Sequence, residues 1–284
     1  ITVKTLNLKK NFYDMFKVIK LIKLLLKYKP KLIHCWTYHA NLIGGIFSKL
    51  LFFNNIIWSI RTSNADDIDI KFSTKMIIRL LSYFSYFIPK LIISNSISGI
   101  SSHHKKGFRN IFKYIPNGCD QKEFYKDIKN RENIRNKYHI KNDQIVIGMC
   151  SRWDIQKNHE CLFKSINILK NEYPISFKVM LIGEGISPDN NFLQEMILKY
   201  KLQDEIIILK HTTEIRNIYN AIDLNILTSN VEGFPNVLIE SLFCGTHCIA
   251  TNVGDVSEIL NEVGDIVNID DHIELSKKIY KNFK

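Results

Sequence analysis

Short apolar runs alternate along this chain with longer segments in which apolar residues recur every three or four positions. The runs are typical of buried strands, and the longer segments are typical of helices that pack one face on a sheet. In the first half they predict strands at 31–36, 56–60 and 91–94, and helices at 11–29, 40–51 and 73–88. In the second half they predict strands at 144–150, 177–182, 205–209, 222–228, 247–250 and 265–268, and helices at 157–170, 191–201, 213–221, 235–244 and 271–283. This alternation predicts an α/β fold.

A polar, charged stretch at 126–143 separates the two halves. We interpret it as a linker between a first domain at 1–125 and a second domain at 144–284. The second half has enough strands and helices for a complete Rossmann-like sheet, whereas the first lacks an opening strand, helix and strand. Because the chain also begins with Ile1 instead of Met, we expect an incomplete first domain and a chain truncated at its N-terminus.

Charge is distributed unevenly between the halves, although the whole chain carries a net charge of +11. Residues 1–143 contain 26 Lys and Arg against 9 Asp and Glu, whereas residues 144–284 contain 13 against 19. Strongly basic regions attract anionic partners. In the helix predicted at 11–29, Lys17, Lys20, Lys23 and Lys27 recur among apolar residues. Two interpretations stay open: a basic helix on an anionic membrane surface, or an outer helix that packs its apolar face on a sheet.

Composition and motifs disfavour several classes of protein. The six cysteines include no CxxC pair, which favours a reducing, cytoplasmic compartment over a secreted disulfide scaffold. No uncharged stretch reaches the roughly 18–20 residues of a membrane span. No second pair of ligands completes a metal site around Cys244 and Cys248, and no RNA or DNA motif accompanies the basic charge. We therefore expect no metal and no nucleic-acid partner.

Two glutamates frame a turn that opens a helix late in the chain. The segment consists of Glu232, Gly233, Phe234, Pro235, Asn236, Val237, Leu238, Ile239 and Glu240. Gly233 allows close approach of the backbone, Pro235 suits a first helical position, and the N–H groups that follow form the positive end of the helix. Since the segment follows a predicted strand, it lies at the sheet edge where α/β proteins bind ligands. The alternative is that these carboxylates only complement the helix dipole.

Two cations follow the first strand of the second half. Arg152 and Lys157 lie between that strand and the next helix, where a guanidinium and an ammonium can neutralise a diphosphate without a metal. The alternative is two surface cations at a helix start. The run 181–185, with sequence LIGEG, ends the next strand in a glycine turn that would shape the rim of such a site. It is not the GxGxxG fingerprint of dinucleotide-binding proteins.

Together these motifs resemble the retaining glycosyltransferases of family 4. The resemblance rests on the segment 115–120, on Ser151 and Arg152 with Lys157, on the run 181–185, and on Glu232 and Glu240 in the family's E-x7-E spacing. It implies the GT-B architecture, in which two Rossmann-like α/β domains face each other across a cleft. It also implies transfer of a sugar, with retention of anomeric configuration, from a nucleotide sugar such as a UDP- or GDP-sugar to a saccharide or lipid-linked acceptor.

The resemblance implies roles for individual residues. Glu240 would accept hydrogen bonds from the ribose hydroxyls, Glu232 would face the donor sugar, and N–H groups from Gly233 to Leu238 would hold sugar and phosphate. Arg152 and Lys157 would stabilise the leaving nucleoside diphosphate. In the first half, His39 and Arg61 follow predicted strands and are the candidates for contact with the transferred sugar or the acceptor. A structural role for His39 stays open, and we interpret His103 and His104 as solvated surface.

Departures from the family pattern leave further alternatives. The glycine-rich loop that follows the family's first strand is absent, and Lys210 and His211 stand where relatives commonly have a glycine turn near the base. An inactive fragment that only binds a nucleotide sugar is one alternative. A nucleotide-sugar epimerase is another, although the E-x7-E segment disfavours it, and a sugar phosphorylase lacks its lysine-cofactor motif. The favoured hypothesis is a hexosyl- or N-acetylhexosaminyltransferase of polysaccharide or lipopolysaccharide biosynthesis, at the inner face of the cytoplasmic membrane.

Overall fold

The computed structural model describes residues 3–6, 15–62, 71–109, 111–209, 212 and 214–284. The chain divides into two compact units, Ile1–Pro116 and Asn117–Lys284. Each unit contains one sheet in which the strand pairs are parallel. The predicted α/β fold with two Rossmann-like domains is therefore confirmed.

Four parallel strands form the sheet of the first unit, in the order β1-β2-β3-β4. The strands are β1 (Ile33–Trp36), β2 (Ile56–Ile60), β3 (Leu91–Ser94) and β4 (Phe112–Tyr114), and the helices are α1 (Met15–Tyr28), α2 (Tyr38–Leu50), α3 (Phe72–Phe84) and α4 (Ile97–Lys105). Trp58 and Ile92 in the sheet are fully buried and belong to one hydrophobic cluster with Ile78 and Leu81 of α3. The core of this unit therefore lies between the sheet and its helices.

Six parallel strands form the sheet of the second unit, in the order β10-β9-β8-β5-β6-β7. The strands are β5 (Ile145–Cys150), β6 (Phe177–Ile182), β7 (Ile206–Ile208), β8 (Leu224–Leu227), β9 (His247–Thr251) and β10 (Asp265–Val267), and the helices are α5 (Ile128–Lys137), α6 (His159–Glu172), α7 (Asn191–Lys199), α8 (Ile215–Ala221), α9 (Asn236–Phe243), α10 (Val256–Leu260) and α11 (His272–Lys281). The order reverses between β5 and β8. Such a reversal opens a crevice beyond the carboxyl ends of the two strands.

The stretch predicted to be a linker, 126–143, carries helix α5 and belongs to the second unit, which begins at Asn117. The Asp127 side chain caps this helix by accepting a hydrogen bond from the Asn130 N–H. Arg131 and Arg135 then donate to the carboxylate of Asp223, just before β8. The helix combines these charged contacts with the packing of Ile134, and its sequence lacks the apolar periodicity that would have predicted it.

Helix α1 packs on α2 and buries Val18 and Leu25, while Lys20 and Lys23 are exposed. This arrangement agrees with the outer-helix interpretation of its sequence and leaves the membrane interpretation as a proposal. Among the described residues, no helix combines the length and the hydrophobicity needed to cross a bilayer.

His103 is buried, although the sequence predicted a solvated surface. Its Nδ1 lies 2.7 Å from the carbonyl oxygen of Gly99, and its Nε2 lies 2.7 Å from the hydroxyl of Tyr38. The prediction was wrong because polar partners on α2 and α4 satisfy both ring nitrogens inside the unit.

Candidate functional site

A pocket of about 540 Å³ lies beyond the carboxyl ends of β5 and β8, where the strand order reverses. It brings together Arg152, Lys157, Glu232 and Glu240. Its other lining residues are Cys150, Ser151, Ile182, Gly183, Glu184, Thr212, Ile215, Tyr219, Phe234, Pro235, Asn236 and Val237. The two motifs that the sequence singled out separately therefore share one site.

Lys157 and Glu232 form an ion pair on the wall of this pocket. Lys157 Nζ donates to Glu232 Oε1 at 2.5 Å, and Ser229 Oγ donates to the same oxygen at 2.6 Å. The side chains of Lys157 and Glu232 are only 18% and 12% exposed. Because a partly buried charge is costly unless it is paired, this contact favours a fixed position for both side chains.

Arg152 is the more exposed of the two cations. Its side chain is 56% exposed, and its Nε lies 3.6 Å from Asp154 Oδ2. An exposed ion pair at this separation contributes little to stability. The guanidinium can therefore turn toward an anionic ligand at small cost.

Glu240 lies on α9 with one carboxylate oxygen held from inside the protein. Tyr219, a fully buried residue of α8, donates its hydroxyl to Glu240 Oε2 at 3.0 Å. Burial raises the pKa of the Glu240 carboxyl above its usual value, the negative charge of Glu123 adds to this effect, and the Tyr219 hydrogen bond opposes it. The result is a half-buried acceptor positioned on the pocket wall.

The N-terminus of α9 opens into the same pocket. Pro235 occupies the N-cap position and supplies no capping hydrogen bond from its side chain. The first N–H groups of a helix have no partner within the helix and carry the positive end of its dipole. Phe234, Asn236 and Val237 also line the pocket here, so this end can receive phosphate or hydroxyl oxygens.

Two glycines lie directly beneath the two loops of the site. A Cβ atom on Gly183 would lie 1.9 Å from the Ser151 carbonyl oxygen, and one on Gly254, where φ is +57°, would lie 2.3 Å from the Glu232 carbonyl oxygen. Neither distance is sterically possible for a side chain. Both loops therefore hold their positions only because glycine allows the backbones to approach.

Hydrogen bonds also join the loop after β5 to the end of β8. Thr228 Oγ1 lies 3.0 Å from the Lys157 carbonyl oxygen, and the Asn230 N–H donates to the Gln156 carbonyl at 2.8 Å. His159 Nε2 lies 3.2 Å from Ser151 Oγ. Burial, and secondly the charge of Lys157, lower the His159 pKa to about 4, so the imidazole is neutral near pH 7. The cations are thus held by a preformed frame.

Not every residue expected at the site lines the pocket. Leu238 is fully buried in a hydrophobic cluster and its N–H donates to the Pro235 carbonyl oxygen, while the Gly233 carbonyl oxygen accepts from the Asp255 N–H. His39 and Arg61 belong to the first unit, following β1 and β2; His39 is exposed, and the Arg61 guanidinium lies 5.2 Å from the centre of the Trp36 ring. Lys210 and His211 lie outside the described residues.

The sequence reasoning missed Tyr219 and Ser229. Tyr219 lies in the helix predicted at 213–221, to which the sequence assigned no site residue, and its side chain is fully buried. The sequence did contain an indication of this contact, because a tyrosine in a buried helix segment needs a hydrogen-bond partner for its hydroxyl. Ser229 ends a strand pattern, where nothing in the spacing indicates that it contacts Glu232.

Comparisons with known proteins identify the family of this chain. The family model "Glycosyl transferases group 1" matches residues 130–282, which is more than half of the 284-residue chain. The capsular polysaccharide biosynthesis glycosyltransferase CapM of Staphylococcus aureus is 26% identical over 282 residues, which cover 95% of this chain and 72% of CapM.

A second relative is the Escherichia coli UDP-Gal:alpha-D-GlcNAc-diphosphoundecaprenol alpha-1,3-galactosyltransferase, which is 25% identical over 91% of this chain and 67% of its own length. Among solved structures, Anabaena HepE in complex with UDP and glucose superposes with a TM-score of 0.84 at 19% identity, over 98% of this chain and 75% of HepE. This likeness shows the GT-B fold. From the family match, the chain belongs to the Glycosyl transferases group 1 family and is a glycosyltransferase.

Proposed function

We propose that this protein transfers a sugar, with retention of anomeric configuration, from a nucleotide-sugar donor to a saccharide or lipid-linked acceptor, as the enzymes of family 4 do. One observation carries the proposal: Arg152, Lys157, Glu232 and Glu240 line a single pocket at the strand-order reversal, beside the open N-terminus of α9.

The charges of the pocket suit a nucleoside diphosphate. Arg152 can form bidentate hydrogen bonds to phosphate oxygens, and Lys157 adds a compact positive charge. In the proposed complex these two cations and the α9 N-terminus neutralise the diphosphate, so that no metal is needed for charge balance. Glu240 keeps one oxygen on Tyr219 and accepts hydrogen bonds from the ribose with the other. The HepE complexes with UDP-glucose and with UDP support a UDP-sugar, and a GDP-sugar is the alternative.

The surroundings of Glu232 suit a role in binding the sugar. Glu232 Oε1 already accepts hydrogen bonds from Lys157 and Ser229, and such donors stabilise a carboxylate and reduce its reactivity as a nucleophile. In our proposal Glu232 orients the donor sugar, and the cations stabilise charge on the departing diphosphate as the anomeric carbon becomes oxocarbenium-like. The acceptor then attacks from the face that the diphosphate leaves.

The names of the relatives support the class of acceptor. CapM is named for capsular polysaccharide biosynthesis, and the E. coli enzyme for a diphosphoundecaprenol-linked sugar. We propose a hexose or N-acetylhexosamine as the transferred sugar and a polysaccharide or lipopolysaccharide precursor as the acceptor. His39 and Arg61 are the proposed acceptor-side contacts.

Calorimetry against a panel of nucleotide sugars tests the donor site. We expect one nucleotide sugar to bind the parent, and both Glu240→Ala and Arg152→Ala to bind it at least about tenfold more weakly, the loss of roughly one charged hydrogen bond. Lys199→Ala, which removes a surface cation paired with Glu160, is the control and keeps the parent affinity. Equal binding by all four proteins contradicts the donor-site assignment.

The stereochemical proposal needs a separate measurement. Proton NMR of the product, with the acceptor offered as a soluble saccharide or a short-chain lipid analogue, gives the anomeric configuration of the new bond. Retention relative to the donor supports the proposal, and inversion contradicts it. Donor binding without transfer to any acceptor would favour the binding-only alternative.

A further inference from the structure

Helix α3 carries an exposed apolar stripe. Phe72, Met76, Leu80 and Tyr83 are 79%, 50%, 44% and 64% exposed, and Phe87 in the turn after the helix is 60% exposed. Their spacing of three or four residues places the four helical residues Phe72, Met76, Leu80 and Tyr83 within about 80° of the helix circumference. Single apolar side chains are commonly exposed on a protein surface, but a continuous stripe of this length is not.

The opposite side of α3 already supplies the packing that the fold requires. Ile78 and Leu81 are buried in the hydrophobic core of the first unit, and the polar Ser85 after the helix is also buried. The exposed stripe is therefore not needed for packing α3 on its sheet. The Tyr83 and Phe87 rings lie 5.5 Å apart, so the apolar surface continues past the end of the helix.

Among the residues that the structure describes, the charge beside the stripe has one sign. Lys75 and Arg79 are exposed one position before Met76 and Leu80, which places them along one edge of the stripe. From residue 15 to 62 and from 71 to 116 the sequence contains sixteen Lys and Arg and no Asp or Glu. The four carboxylates of the first unit are Asp14, Asp66, Asp67 and Asp69, which lie outside the described residues.

The cations of α1 extend the same basic surface. α1 packs on α2, and α2 packs on α3. Right-handed crossovers between parallel strands place α2 and α3 on the same face of the sheet. Lys20, Lys23 and Lys27 of α1 are exposed.

We propose that α3 lies on an anionic membrane surface, with its apolar stripe inserted among the headgroups and Lys75 and Arg79 beside lipid phosphates. Aromatic and aliphatic residues on one helix face, flanked by Lys and Arg, are the features of helices that lie in the membrane interface. A nucleic acid would use the cations but would leave five apolar side chains in water. The inference concerns a surface of the first unit and does not depend on the donor chemistry of the second.

Co-sedimentation of the full-length protein with vesicles tests the docking surface. We expect binding to vesicles of phosphatidylcholine with phosphatidylglycerol, weaker binding to phosphatidylcholine alone, and a decrease as salt is raised. Lys75→Glu/Arg79→Glu should reduce binding to the anionic vesicles by at least about tenfold, since each surface cation near anionic lipid contributes a factor of roughly five. Phe72→Ser/Tyr83→Ser should reduce it by a similar factor even at low salt.

Two control variants make the same kinds of substitution on the surface of the second unit. Lys277→Glu/Lys281→Glu reverses two exposed cations on α11, and Phe192→Ser removes an aromatic ring that is 72% exposed; both should bind vesicles as the parent does. Tyr83→Trp reports insertion directly, through a blue shift of the additional indole fluorescence on anionic vesicles.

Three results would overturn the proposal. The first is equal vesicle binding by the parent and both α3 variants, and the second is an additional indole that stays at its aqueous emission wavelength. The third is a dimer that dissociates when the stripe is changed while vesicle binding stays the same, because the stripe would then contact a second copy of the chain. If duplex RNA displaces the parent from vesicles and the stripe variants bind vesicles as the parent does, a nucleic acid is favoured as the partner of the basic surface instead.

Discussion

Tyr219 is the residue that fixes Glu240, through the hydrogen bond from its buried hydroxyl to Oε2. We expect Tyr219→Phe to weaken nucleotide-sugar binding about tenfold, because hydrogen bonds to charged groups contribute about 1.5–3 kcal/mol. The aromatic ring, and with it the packing of α8, is preserved. Calorimetric titration of the parent and the variant with the same donor measures the loss.

The pH dependence of donor affinity distinguishes a positioning role of Tyr219 from a general effect of its substitution on the fold. The Tyr219 hydrogen bond lowers the pKa of Glu240 against the raising effect of burial. Without it the pKa rises further, so the carboxylate protonates at higher pH and donor affinity falls earlier as the solution is acidified. Tyr280→Phe, whose ring stacks on Tyr173 at 4.3 Å, is a control that should keep the parent profile. An unshifted profile in Tyr219→Phe contradicts the positioning role.

The Lys157–Glu232 pair gives a second prediction at this scale. Lys157→Met removes the cation that donates to Glu232 Oε1, and the Glu232 side chain is only 12% exposed. Removing one partner of a fully buried pair costs about 3–5 kcal/mol, and the residual exposure here reduces our expectation to roughly 2–3 kcal/mol of unfolding free energy. In Lys157→Met/Glu232→Gln no charge is left unpaired, so most of this stability should return.

Urea denaturation of the single and double variants measures the coupling between the two side chains. Lys199→Met breaks an exposed pair with Glu160, in which the lysine side chain is 62% exposed, and should leave the unfolding free energy close to the parent value. Strictly additive losses from the two single changes would show that Lys157 and Glu232 are not energetically coupled.

At the scale of elements, the sequence predicted those strands and helices that are marked by the spacing of their apolar residues. The strands β2, β3 and β6 have the predicted bounds, and β5 differs by one residue, because runs of buried residues mark strands directly. Helix α4 escaped prediction since its Ser- and Gly-rich sequence has weak helix propensity; the Ser96 cap and packing against β3 and β4 stabilise it. Helix α5 also escaped prediction, because the contacts of Arg131 and Arg135 with Asp223 leave no apolar periodicity in its sequence.

In the candidate site, too, some features could be predicted from the sequence and others could not. The chemistry of Arg152, Lys157, Glu232 and Glu240 could be predicted because charged residues at the ends of parallel strands converge. Their mutual pairing could not, since the spacing within one loop does not fix the distance to another. Tyr219 and Gly254 come from elements that the motifs do not include, and their roles follow only from tertiary contacts.

Gly254 supports the turn between β8 and α9 and allows a prediction about that element. A Cβ here would meet both the Glu232 and the Gly233 carbonyl oxygens, at 2.3 and 2.6 Å. Gly254→Ala must therefore move the turn, and we expect roughly 1–3 kcal/mol of destabilisation from the backbone strain together with a loss of donor affinity. Gly118→Ala, where a Cβ would meet no atom within 4 Å, is the control for thermal denaturation and calorimetry. Parent-like donor affinity in Gly254→Ala contradicts the supporting role.

At the scale of the whole molecule, the two units divide charge as well as structure. The first unit carries 19 Lys and Arg against 4 Asp and Glu, and the second carries 20 against 24. The basic unit has the exposed stripe on α3, whereas the pocket with the Arg–Lys–Glu set lies entirely within the other unit. The proposed donor site and the proposed membrane surface therefore belong to different units.

This separation predicts that residues 117–284 fold and bind the donor alone. The second unit has its own six-stranded sheet and a continuous core in which Leu162, Leu181 and Leu275 are fully buried, and α11 packs on α6 to close it. We expect the isolated segment to unfold cooperatively and to bind the donor within about tenfold of the full-length affinity, because every pocket residue is retained. It should not sediment with anionic vesicles, since α1 and α3 are absent. A loss of donor affinity greater than a hundredfold in a folded 117–284 segment would show that the first unit contributes to donor binding.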